Sequence, residues 1–177
     1  MTHYVALLRG INVGGITITM ADLADTVRSL GHTGVKTVLA SGNLVFDSDE
    51  TDAATLKSGL ERLLSDTFGY EAWVVLLTRD ALAAAVEDYP FDDLDGWHSY
   101  VLFGSDPAML DELLTAAPTL DPADDRVVPG DGVVYWQVRR EVGIKSPFSS
   151  LSAKTRYKAS TTNRNLRTLR KILDLPG

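Results

Sequence analysis

The chain has 177 residues, 45% apolar and 23% charged, with a net charge of -7; this supports a packed core in one domain or two small ones and argues against a general nucleic-acid binder. Cysteine is absent and the three histidines, His3, His32 and His98, are widely separated, which excludes disulfide frameworks, thiol nucleophiles and histidine-pair metal motifs, so neither a metal nor a cofactor is expected. No apolar run approaches the ~18 residues of a membrane span, and VALL meets Arg9 too soon to be a signal peptide, so a cytoplasmic protein with no membrane partner is expected.

The first element, YVALL, is a continuous apolar run that reads as a short strand buried on both faces. It leaves through LRGINVGG, a glycine-rich loop. MADLADTVRSLG then has helical spacing at Met20, Leu23, Ala24, Val27 and Leu30, with Thr19 as N-cap and Gly31 as stop. VKTVLASGNLVFDS reads as a hairpin turning around Ser41 and Gly42. A second helix is expected over residues 53 to 68, closed by Gly69, and WVVLLT is a further strand.

RDALAAAVEDYPFDDLDG supplies a helix and an acidic connection, after which the order recurs: WHSYVLFG as strand, PAMLDELLTAA as helix, RVVPGDGVVYWQVRR as hairpin. SPFSSLSAKTRYKAS is polar and poor in helix formers. TTNRNLRTLRKILDL reads as a terminal helix, capped by Thr161 or Thr162, with Leu166, Leu169, Ile172 and Leu173 as its apolar stripe. The fold class expected is α+β: duplicated ferredoxin-like (β-α-β-β-α-β) halves with antiparallel sheets, residues 1–90 with a linking helix and residues 91–177 with the basic terminal helix.

In such a unit the first and third strands are the central antiparallel pair, so LRGINVGG and ASGN fall at the same end of the sheet. Arg9, Asn12, Ser41 and Asn43 then converge, with the backbone amides of Gly10, Gly14, Gly15 and Gly42 nearby. Arginine offers a planar fork of donors suited to phosphate or carboxylate, and amides add neutral donors. The competing reading is that Arg9 and Asn43 bond loop carbonyls and hold the two loops together. GINVGGIT also lies on the phosphate-loop pattern G-x-x-x-x-G-K-[ST], but Ile16 stands where the lysine must be, and the dinucleotide pattern fails on spacing. Ser41 lacks the G-x-S-x-G context of a hydrolase nucleophile.

The charge is unevenly placed. Residues 139 to 171 hold ten Arg and Lys against Glu141 alone, whereas residues 1 to 138 hold 22 acids and 7 bases. The basic segment either meets an anionic partner or packs on the acidic remainder. Thr162, Arg164 and Asn165, at the expected start of the last helix, form a second candidate anion site. On VVYWQVRR, Tyr135, Gln137 and Arg139 share a face that Tyr100 is expected to join, the kind of surface on which RNA-recognition modules stack bases.

LLRGINVGG, SGNLVF, the central YPF and TTNRNLRTLRKI together resemble the bacterial domain-of-unknown-function family numbered 1697 over nearly the whole chain. The resemblance implies two ferredoxin-like halves and carries over no activity or functional residues. Members commonly have a lysine after the double glycine, where this chain has Ile16. The leading expectation is binding of an anionic or phosphate-bearing small molecule at the first cluster. Sequence-tolerant nucleic-acid binding through the basic segment is the alternative, and an enzyme acting on a phosphorylated metabolite is the third reading.

Overall fold

The computed structural model describes residues 1–12 and 15–176. The first sheet contains β1 (Thr2–Arg9), β2 (Thr33–Val38), β3 (Asn43–Ser48) and β4 (Trp73–Thr78) in the order β2-β3-β1-β4, every neighbour antiparallel. Tyr4, Ala6 and Leu8 stand on one face with Leu44, Phe46 and Val74. That face is covered by Leu23, Ala24 and Val27 of α1 (Met20–Arg28) and by Leu56, Leu60 and Leu64 of α2 (Ala53–Phe68). Val5 and Leu7 are buried as well, as the unbroken hydrophobicity of YVALL requires.

Local chemistry sets the helix limits. Thr19 accepts from the Asp22 amide, and Asp52 accepts from the amides of Ala54 and Thr55, so each helix start has a side-chain cap. Gly69, at φ 68°, ends α2 in the left-handed conformation.

α3 (Arg79–Glu87) leads to the second sheet: β5 (Trp97–Gly104), β6 (Asp125–Pro129), β7 (Val133–Arg139) and β8 (Thr161–Asn165). Its order, β6-β7-β5-β8, repeats that of the first sheet, again fully antiparallel. The two sheets with their interleaved helices are the duplicated ferredoxin-like α+β arrangement. Leu102, Val134, Trp136 and Val138 pack with Leu110 and Leu113 of α4 (Pro107–Leu114) and with Phe148 of α5 (Pro147–Ser152). The α5 helix lies in a segment whose composition favours no helix. Ser146 caps it, Pro147 suits its first position and burial of Phe148 holds it on the sheet.

Asp125 is buried beneath this core. Its carboxylate accepts from Trp136 Nε1 at 2.7 Å and from the Phe148 amide at 3.2 Å, joining β6, β7 and α5. By tertiary contacts the chain divides into residues 1–83 with 170–177, and residues 84–169. This division differs from one at 90/91. The last residues rejoin the first unit, where Arg79 Nη2 donates to the carbonyls of Leu173 and Leu175, each at 2.6 Å, and Lys36 Nζ donates to that of Pro176 at 3.1 Å.

Two sequence-based expectations fail here. TTNRN is not the start of the last helix: residues 161 to 165 form β8, paired with β5, and α6 runs from Leu166 to Leu173. The amides expected to face an anion lie in a strand ladder instead. Tyr100 is directly opposite Trp136, not Tyr135, and its ring stacks on Trp136 with centroids 4.9 Å apart. Tyr135 is 4% exposed and its hydroxyl donates to the Ala85 carbonyl at 2.7 Å. No base-stacking platform of Tyr100 and Tyr135 exists.

Candidate functional site

The loop after β1 is built around two asparagines and a buried glycine. Asn12 takes a positive φ of 55°, which asparagine tolerates better than most residues. Its Nδ2 donates to the Ala40 carbonyl at 2.6 Å, and its Oδ1 accepts from the Ile18 amide at 2.9 Å. One side chain therefore ties the β1 exit to the β2–β3 turn and to the approach to α1. Asn43, fully buried, donates to the Val38 carbonyl at 2.7 Å and to Ser41 Oγ at 2.9 Å, closing the hairpin turn from inside.

Gly42 lies between these two asparagines. The Leu8 amide donates to its carbonyl at 2.8 Å, and a Cβ on Gly42 would sit 2.7 Å from Ile11 Cδ1 and 2.9 Å from Leu8 Cβ. Ile11 is buried in the first core, so the loop is anchored there by an apolar side chain. LRGIN and ASGN come together as the strand order requires, but Asn12 is used in tying one loop to the other and Asn43 in closing its own turn.

Arg9 has a different position. It ends β1 opposite Trp73, on the face of Leu7 and Asn43, opposite to the one that α1 and α2 cover. It is half-buried, and burial lowers the pKa of its guanidinium from the ordinary value. Ser41, Gly10 and Gly15 are exposed, with both glycines at positive φ. Gly14, also a candidate, lies outside the described residues. Of the candidate residues, Asn12, Gly42 and Asn43 are built into the two loops, while Ser41, Gly10 and Gly15 are exposed at them and Arg9 is half-buried at the end of β1.

The second candidate cluster divides. Strand alternation puts Thr162 and Arg164 on one face of β8, opposite Phe103 and Val101, and Asn165 on the other, opposite Tyr100. Arg164 is 7% exposed and donates to Thr162 Oγ1 at 2.6 Å and to the Asn163 carbonyl at 2.9 Å. Asn165 Oδ1 accepts from the Arg167 amide at 2.9 Å and so caps α6. Much of the basic segment is engaged locally: Arg139 meets Asp124 at 3.1 Å and Glu141 at 3.5 Å, and Arg156 meets Glu112 at 2.6 Å.

Sequence reasoning passed over a His3–Asp47 contact between the paired strands β1 and β3. It borders a cavity of about 70 Å³ lined also by Lys36 and Arg79. Both cations there already donate to the C-terminal carbonyls. The His3↔Asp47 register could be read only once β1 and β3 were aligned. Among the described residues no group of three or more His, Asp or Glu side chains is placed to hold a metal, and no helix is long and apolar enough to cross a membrane.

The two sheets, each with its own helices, define a two-unit α+β protein. Residues 1–135 match the family described as "Protein of unknown function (DUF1697)", and the chain belongs to that family. Conserved bacterial protein SP0830 from Streptococcus pneumoniae is similar in structure, with a TM-score of 0.79 and 28% sequence identity, each chain covered over 97% of its length. No curated protein matches the chain.

Proposed function

We propose that the protein binds an anionic, phosphate-bearing small molecule at the end of the first sheet. Arg9 supplies the charge, the exposed main chain at Gly10 and Gly15 supplies neutral donors, and Ser41 borders the ligand. The observation that carries this reading is Arg9 itself: a half-buried guanidinium at the end of a central strand whose exit loop is tied by Asn12 to a turn that Asn43 closes. A cation drawn partly out of water attracts an anion more strongly than a solvated one, and a fixed frame lowers the entropy lost on binding. Ile16 leaves this loop without the lysine of a phosphate-hydrolysing loop, so the reading is of binding and not of nucleotide hydrolysis. Such a role suits a cytoplasmic setting.

Nucleic-acid binding has less support, because Tyr135 is buried on the sheet face opposite to that of Tyr100, and Arg139 and Arg156 are paired with acids. Isothermal titration with pyrophosphate and a set of nucleoside phosphates tests the proposal. Arg9→Ala should weaken binding by about tenfold or more, the worth of one charge-assisted hydrogen bond. Equal affinity in wild type and Arg9→Ala would remove Arg9 from the site.

A further inference from the structure

One end of the second sheet gathers two arginines and a histidine from three separate segments. His98 lies on β5 beside Tyr100, their ring centroids 6.0 Å apart. Arg140 follows β7 directly, and its amide donates to the Gly96 carbonyl at 2.8 Å, which sets it next to the start of β5. Arg167 is in the first turn of α6, its amide capped by Asn165, and Asn165 is the cross-strand partner of Tyr100 and hydrogen-bonded to it. The strand alternation that buries Arg164 on one face therefore brings Arg167 round to the side of His98.

Both arginines are exposed, and among the described residues neither forms an ion pair, although Arg139, next to Arg140, has two. The His98 imidazole is held below its ordinary pKa, first by burial and then by the charges of Arg140 and Arg167, with no carboxylate acting in the opposite direction. The two guanidinium charges, brought beside His98 from two other segments, disfavour a proton on the imidazole and repel each other, and that repulsion is relieved when an anion sits among them.

We propose that His98, Arg140 and Arg167 form a second anion site, separate from the Arg9 loop, that takes the terminal phosphate of a phosphate monoester. Two guanidinium forks clasp the phosphate oxygens from β7 and α6, the imidazole donates a third bond, and the start of α6 adds its positive dipole end. The paired Tyr100 and Asn165 fix the floor on which His98 and Arg167 stand.

The test uses the whole chain and inorganic phosphate as probe, followed through the imidazole resonances of His98 at constant pH and ionic strength. Phosphate should shift those resonances to saturation, and sulfate or chloride should do so more weakly. Arg140→Ala and Arg167→Ala, both exposed positions where the fold should survive, should each weaken the response by about tenfold or more. Arg9→Ala should leave it unchanged. A His98 signal that does not move with phosphate, or one that still saturates at the same concentration in the Arg140→Ala, Arg167→Ala double variant, overturns the proposal.

Discussion

Replacing Gly42 with alanine places a methyl group where the β1 exit and the β2–β3 turn meet. Gly42 has a φ of 87°, and holding an alanine there costs about 1–2 kcal/mol against an ordinary conformation. The new Cβ would also lie 2.7 Å from Ile11 Cδ1 and 2.9 Å from Leu8 Cβ. Ile11 can rotate its terminal methyl, but Leu8 Cβ is fixed by a central strand, so overpacking adds about 1–3 kcal/mol. The total is about 2–5 kcal/mol, a large fraction of the roughly 5–15 kcal/mol that holds such a protein folded. Gly10 provides the control: its φ is 80°, and an added Cβ meets nothing within 4 Å, so Gly10→Ala should cost only the conformational part. Urea denaturation of the two variants, with the slope unchanged, measures the difference directly. If Gly42→Ala lies within about 0.5 kcal/mol of Gly10→Ala, the steric part predicted from overpacking is absent and the packed loop frame is wrong.

Asn43→Ala removes two donated bonds from a fully buried position, so about 2–3 kcal/mol of stability should be lost in the same denaturation assay. Asp125→Ala leaves the Trp136 indole and the Phe148 amide without their acceptor and should cost about 3–5 kcal/mol, with Asp125→Asn costing less because one acceptor oxygen remains. The Trp136 Nε1–H resonance should move sharply in the alanine variant. His32, its ring 4.9 Å from that of Phe46, has its pKa lowered by burial below 6.5. The unfolded chain therefore takes up this proton first: the contribution is present above about pH 6.5 and is lost as pH falls toward the folded-state value. Stability measured from pH 7 to pH 5 should fall less steeply in His32→Gln than in the wild type.

The elements most legible in the sequence were those carrying their own end signals. Residues 53 to 68 are found as a helix with Asp52 and Gly69 as its caps, and the six-residue run WVVLLT, apolar up to its last residue, as β4. TTNRN misled because threonine and asparagine are at once good caps and acceptable edge-strand residues; only pairing with β5 decides between them, and that contact is distant in the chain. Alternation within β7 was readable, but the placement of Tyr100 on the face of Trp136 depends on register between strands. The meeting of the two loops followed from topology alone. Which of their polar groups would be consumed in bonding each other did not, because residue type supplies donors and acceptors without naming their partners. His98, Arg140 and Arg167 were hidden for the same reason as β8: while residues 161 to 165 read as helix, Arg167 had no fixed place relative to β5.

The Arg9 guanidinium is the most direct reporter of the proposed ligand site. Its Nε–H resonance, followed while pyrophosphate is added to the intact protein at low salt, should shift progressively and saturate, and amide signals of Gly10 and Gly15 should move with it. A guanidinium resonance that stays fixed while other parts of the protein respond to pyrophosphate would contradict the assignment of the anion to the end of β1.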